Sequence, residues 1–410
     1  MRPYPVRFLP LCLAVLCERC AAYMLASSMV LMLCERYGYP RDEALRLAGL
    51  ITAAGYLGSL PGGIVADRVL GHHRTLTGSL ILLVVGYALL MIPSLLALWS
   101  SVATLVLGTS LFKPSAQAVL RRLALPPDPR LDRAQVWLYL LINVGALSGA
   151  IIAGLAIQHW GWTFCFAITA SIVCMGRACL SIGRRDVPVR TQTDKPLPKT
   201  MPTAHLFTWQ RVQTIAALTL AMLLFKVCFG QVEGALLLFT QQHTERVVHG
   251  FTVPPSWFAG LPALLVLLLA PAQLVLLPRL QRRMQTAHLV AVGLLSTSLA
   301  FLVLFPAVLP SKTHLVRMSW LVACHTLLVI GETLIGPLGL SQVLRLAPPR
   351  FVGAVIGVWF VSGAVGYWLA GEIGALWVRW SPICGLTILA VLPLVGIGVL
   401  FVEVRKTSLK

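Results

Sequence analysis

About twelve stretches of roughly 20 apolar residues follow one another along this chain, and each is long enough to cross a bilayer as a helix. They run approximately 8–34, 43–66, 75–95, 97–120, 134–158 and 162–183, then 212–240, 255–278, 286–309, 315–344, 352–377 and 382–402. In hydrocarbon every backbone N–H and C=O must be satisfied within the protein, which leaves helices or closed barrels. Stretches of this length exclude barrel strands, so the expected class is an all-α membrane protein. Composition agrees: 58% of residues are hydrophobic and only 11% charged, against roughly 25% charged in soluble domains.

The net charge of +19 would suit nucleic acid if it were clustered, but it is not. Most Lys and Arg fall in one alternating set of loops and termini, the bias of the positive-inside rule. That bias places both termini in the cytoplasm and argues against nucleic-acid binding. The excess of Arg over Lys fits a GC-rich bacterial genome and hence a bacterial inner membrane. A polar, Pro-rich segment at 184–211, carrying Arg184, Arg185, Arg190, Lys195 and Lys199, reads as a cytoplasmic linker. It divides the chain into six-helix bundles at 1–183 and 212–410, the layout of two pseudo-symmetric halves. Cys17 and Cys20 form a C-x-x-C spacing in mid-span, without the context of a redox or metal site. The first apolar stretch lacks a signal-peptide cleavage site and continues past Glu18 and Arg19.

Charges within a bilayer are costly and mark a pathway or a partner. Counted from Arg7, Arg121, Arg133 and Arg345 at about 1.5 Å per residue, Arg19, Lys113, Asn143 and Glu332 all lie roughly 12–20 Å deep. Two cations, an acid and the only asparagine in the chain therefore share the middle of the membrane. Two readings follow: an interhelical lattice of ion pairs and hydrogen bonds, or a wet cavity whose two signs suit a zwitterion.

Six motifs then come in order. The first span carries Glu18-Arg19-Cys20-Ala21-Ala22-Tyr23, which resembles the end of E-x-x-E-R-F-x-Y-Y. The second has Tyr56-Leu57-Gly58-Ser59-Leu60-Pro61-Gly62-Gly63 and Ala66-Asp67-Arg68, similar to Y-L-T-P-x-x-G-G-x-x-A-D-R. Phe112-Lys113-Pro114 matches F-K-P, and Tyr139-Leu140-Leu141-Ile142-Asn143-Val144-Gly145-Ala146 matches Y-x-x-I-N-x-G-[SA]. Gly331-Glu332-Thr333-Leu334-Ile335-Gly336-Pro337-Leu338-Gly339-Leu340-Ser341 resembles G-E-L-x-x-S-P-x-G-L-S, and Leu346-Ala347-Pro348, Arg350, Gly353 and Gly357-Val358-Trp359-Phe360 follow. Together these resemble the proton-dependent oligopeptide transporter family.

That resemblance implies a major-facilitator fold with a peptide site between the halves. Carried over, Arg19 and Lys113 hold a peptide carboxylate, Glu332 and Asn143 its amino terminus, and Tyr23, Tyr56, Tyr139 and Trp359 line the cavity. Proton coupling falls to Glu18, Arg19, Lys113 and Glu332. Gating falls to Asp67 and Arg68, for which a plain helix cap is the alternative. The chemistry fits, since Arg grips carboxylates bidentately.

Three departures stand out. Val15 replaces the first acid of E-x-x-E-R, so Lys113 must rely on Glu18, on a substrate anion or on losing its proton. The seventh span reads Phe229-Gly230-Gln231 where the family has F-E-Q, and Ala26 replaces the basic partner of that missing acid. Glu233 shares nearly the same helix face and could substitute, or lie at the lipid interface; Lys226 could reach the cavity or snorkel to the surface. Ala22, Phe258 and Leu261 also make the pocket less polar than is usual, which points to bulkier or more apolar ligands. Elsewhere, His325 is either a relay toward Glu332 or a structural histidine, His72 and His73 read as a solvated face, and Glu372 as wet.

The expected function is a secondary active transporter taking up di- and tripeptides or similar zwitterions with protons by alternating access. The alternative is a same-fold transporter or exporter of a modified peptide, metabolite or siderophore. No constellation of catalytic or metal-ligating residues suggests an enzyme or a cofactor. The expected partners are the substrate, protons and membrane lipid, with a monomer as the functional unit.

Overall fold

The computed structural model describes residues 8–123, 130–182, 208–308, 315–348 and 351–408. The expected linker, up to position 207, lies outside the described residues, as do Arg7 and Arg350. Among the described residues, ten helices are long and apolar enough to cross a membrane. The helix Arg130–Ile182 contains two crossings, broken at Gly161 (φ 79°), a backbone angle that glycine adopts without strain. Dividing it, and adding the more polar His72–Leu89, brings ten to twelve.

We number the crossings α1 (Phe8–Ala26), α2 (Arg41–Leu70), α3 (His72–Leu89), α4 (Leu95–Leu123), α5 (130–160), α6 (162–182), α7 (Trp209–His243), α8 (Pro255–Arg283), α9 (Thr286–Leu302), α10 (Met318–Leu346), α11 (Val352–Arg379) and α12 (Pro382–Ser408). The membrane face at which α1 begins is called the near end here, and the opposite face the far end. Small strands occur at the far end: Val247–Val248 pairs with Phe251–Thr252, and Thr244–Glu245 with Val316–Arg317. The all-α expectation holds for the crossings themselves.

Several helices are interrupted. After α1 the chain turns at Ser27 and Ser28, with Ser28 Oγ donating to the Met24 carbonyl at 2.6 Å, and resumes as Met29–Glu35. In α7 a tight 3₁₀ turn at Gly230–Val232 precedes Ala235–His243. Pro114 in α4 and Pro337 in α10 each remove a backbone donor beside a polar residue of the membrane interior.

Apolar helices in lipid associate through close packing, for which small residues are suited. A Cβ on Gly149 of α5 would lie 2.2 Å from the Cys20 carbonyl oxygen of α1, and one on Gly62 of α2 would lie 2.2 Å from that of Ser110 in α4. Gly366 of α11 receives α7 in the same way, beneath the Cβ of Lys226. The first six helices meet the last six along two seams. In one, Gly49 of α2 faces Gly371 of α11, where an added Cβ would come 2.8 Å from the opposing Cα. In the other, Ser256 Oγ of α8 donates to the Ala150 carbonyl of α5 at 3.1 Å, and Trp257 Nε1 to Ile151 at 3.3 Å.

Candidate functional site

On the side of the first six helices, Gly145 of α5 packs directly on the Cβ of Arg19 and so fixes its helix. The Arg19 guanidinium is gripped by its own neighbour: Nε donates to Glu18 Oε2 and Nη2 to Glu18 Oε1, both at 2.5 Å. Glu18 is 1% exposed. The fork of Arg19 is thus already engaged, and only its remaining N–H groups face a newcomer. Lys113 differs. Among the described residues it has no ion-pair partner, and its Nζ stands 4.3 Å from the centroid of the Tyr56 ring. A cation over an aromatic face keeps part of its stabilisation without a counter-charge. Asn143 donates from Nδ2 to the Tyr139 carbonyl at 2.9 Å, leaving its carbonyl oxygen and second N–H for other partners.

Across the midline, Lys226 of α7 lies with its Nζ 3.8 Å from Glu332 Oε1 of α10. It is 7% exposed, beside the rings of Phe225, Phe229 and Tyr367 at 4.8–5.6 Å. Lys226 therefore points inward rather than snorkelling, and it is the residue whose place in the site the sequence left open. Glu233 also points inward. It borders a small gap with Met29 and Thr52 from the first half and Tyr367 and Gly371 of α11. The turn at Gly230–Val232 redirects the helix here and removes Glu233 from the lipid face. Tyr23 lies within electrostatic range of Arg19, Tyr56, Glu233 and Glu332, Tyr56 of Lys113 and Lys226, and Tyr139 of Glu332. The two charged groups approach each other through a pair of rings: Tyr56, beneath Lys113, meets Tyr367, beside Lys226, at 5.1 Å between centroids.

A family model described as Major Facilitator Superfamily matches residues 11–371. The chain belongs to that superfamily. Among facilitators, it is 26% identical to Peptide transporter YePEPT of Yersinia enterocolitica subsp. palearctica serotype O:3 (strain YE-P4), over 91% of this chain and 87% of that one. It is likewise 26% identical to Dipeptide and tripeptide permease A of Pectobacterium carotovorum subsp. carotovorum (strain PC1), over 87% of this chain and 80% of the relative. In structure it is similar to the peptide transporter POT crystallised with sulfate, with a TM-score of 0.86 at 24% identity, covering 99% of this chain and 96% of the other.

Other facilitator positions land differently from their sequence readings. Trp359 belongs to the apolar core of the last six helices. It is 3% exposed and packs against Gly339 of α10, where a Cβ would meet the indole at 2.6 Å. His72 is buried, not solvated, and its Nε2 lies 3.0 Å from Asp67 Oδ1. Asp67 and Arg68 sit in a π-helical turn, Ala66–Leu70, ended by Gly71 at φ 76°, so Asp67 ties the end of α2 to the start of α3. His325 is buried with Nδ1 2.7 Å from the Leu321 carbonyl, its own helix, which favours the structural reading over the relay. Glu372 is paired, not merely wet: its Oε2 lies 3.1 Å from Arg46 Nε of α2. Arg379 of α11 donates to Asp42 of α2 at 2.6 Å, Arg41 to Gln242 at 3.2 Å and Gln241 to Glu35 at 2.7 Å. All of these join the two halves of the facilitator at the far end.

Proposed function

We propose that this chain is a secondary active transporter that couples inward proton movement to uptake of short peptides or similar zwitterions. The observation that carries the reading is the opposition of two charge groups on either side of the Tyr56–Tyr367 ring pair. Glu18, Arg19 and Lys113 stand on one side, and Lys226, Glu332 and Glu233 on the other. The names of the relatives, a peptide transporter and a dipeptide and tripeptide permease, support the same substrate class.

In this reading Lys113 takes the peptide carboxylate, because its charge is unspent, and the free N–H groups of Arg19 assist. Glu332 and Asn143 take the ammonium, and Tyr23, Tyr56 and Tyr139 bound the site. Protons travel on Glu18, Glu332 and Glu233, whose charges must be compensated differently with and without substrate. The bundles 1–183 and 212–410 rock about the linker at 184–211. Asp67 and Arg68 act at the near end, where Asp67 exchanges its bond to His72 for other partners. With both termini cytoplasmic in a bacterial inner membrane, the far end is external, and the tied far-end seam corresponds to an inward-facing state of a monomeric transporter.

The pair between Lys226 and Glu332 favours a second reading. A lysine already occupies the acid that would greet an ammonium, so a cargo without a free amine, such as a modified peptide or an anionic metabolite, would leave that pair intact. Proteoliposomes separate the two. Uptake of alanyl-alanine stimulated by an acid-outside gradient is the expected result. Transport of N-acetyl-alanyl-alanine in preference to it would establish the second reading, and uptake indifferent to the gradient would remove proton coupling.

A further inference from the structure

We infer that the first bundle contains a side-chain subsite, an apolar slot that takes one phenyl-sized or branched aliphatic side chain of a substrate whose carboxylate rests on Lys113. The inference rests on the proposed peptide reading and specifies it further. The slot lies among α1, α2, α3 and α4, running from the level of Lys113 toward the far end. Its mouth is marked by Lys113 and Tyr56, and its blind end by Leu33, Leu90 and Leu98, each 1% exposed.

The slot exists because three positions that face it lack bulk. Ala22 and Ala26, one turn apart on α1, and Gly55 on α2 border it. A Cβ added to Gly55 would meet nothing within 4 Å. The space is about 140 Å³, close to the size of an apolar cavity of about 150 Å³ that holds benzene. Its lining is chiefly Leu, Val, Ile, Met and Ala, relieved by the hydroxyls of Thr52, Tyr87, Ser101 and Thr109. Of these, Ser101 Oγ is spent on the Gly86 carbonyl at 2.7 Å, and Thr52 Oγ1 on that of Ala48 at 2.9 Å. The slot therefore recognises shape and apolarity, and Lys113 at its mouth sets polarity: an anionic group outside, hydrocarbon within. A peptide's last residue has this form, with carboxylate and side chain on the same carbon.

The test is a series of alanyl dipeptides competing for uptake of labelled alanyl-alanine in proteoliposomes. Affinity is expected to rise from alanyl-alanine through alanyl-valine to alanyl-phenylalanine, by roughly tenfold or more over the series, as burial of a large side chain implies. A flat or falling series in the unmodified protein overturns the slot. Gly55→Leu should fill the space and bring the preference for phenylalanine over alanine down to about one. A folded Gly55→Leu that keeps the preference also overturns it, and the unmodified series decides if that variant does not fold. The two proposals fail separately. Gradient-driven uptake of alanyl-alanine with a flat series removes the slot alone, whereas neither uptake nor binding of any dipeptide removes the peptide reading and the slot with it.

Discussion

Lys226 and Arg19 are cations that already have acids, and Lys113 is a cation whose nearest recorded partner is a ring. Three positive charges of the membrane interior are thus unequal, and substitutions should separate them. Lys226→Met leaves Glu332 without its counter-charge, and Glu332→Gln does the reverse. If the 3.8 Å contact matters, thermal unfolding of the singles and the double should give a coupling energy of about 0.5–3 kcal/mol. Strict additivity would mean that the pair is incidental. Arg19→Lys keeps charge but loses the two-pronged grip on Glu18, so uptake should fall roughly tenfold or more, a loss that Arg–Lys exchange commonly brings at bidentate sites. Counting residues from the loops put Arg19, Lys113, Asn143 and Glu332 at one height, since the helical rise is nearly constant. It could not give azimuth or partner. That is why the sequence leaves Lys226, on a helix whose motif lacks its acid, between cavity and surface, and does not show that Trp359 packs on Gly339.

At the scale of helices, glycine determines how close two axes come, and the four-residue spacing of Gly145 and Gly149 makes this legible in the sequence. Breaks were less legible, because the seventh span carries no proline at the turn over Gly230–Val232. Gly149→Val should separate α5 from α1 and carry Arg19 with it. Overpacking of about 1–3 kcal/mol should appear as a lower melting temperature and a loss of uptake together; a normal melting temperature would contradict the contact. Gly230 gives a sharper case. A side chain there would have its Cβ 2.7 Å from that of Ala370 and 3.2 Å from the Tyr367 ring. Reinstating an acid–base pair with Gly230→Glu and Ala26→Arg should therefore destabilise the fold, even though it restores the family pattern. A double variant at least as stable as the parent would show that α11 can retreat.

For the molecule as a whole, the conformational balance depends on what holds the far end shut. Two ion pairs, Arg46 with Glu372 and Arg379 with Asp42, flank the backbone contact of Gly49 with Gly371. Each pair is partly exposed, so each is individually weak. Such a contribution is small against the fold but comparable to the gap between two transport states, where 1–2 kcal/mol changes a population about 5–30-fold. A transporter needs such a seam to be weak, since it must open in every cycle. Thr52 lies one turn inside Gly49 on α2 and borders the gap beneath the seam, so a cysteine placed there in a cysteine-depleted protein reports far-side opening. Combining Arg46→Ala with Arg379→Ala should speed its labelling by an impermeant maleimide added from the far side by about fivefold. High salt should move the parent protein in the same direction, because exposed pairs are screened. Labelling that responds to neither change would assign the closure to the glycine contact instead, and Gly371→Leu, which forces the two backbones apart, would then be the substitution that opens the far end.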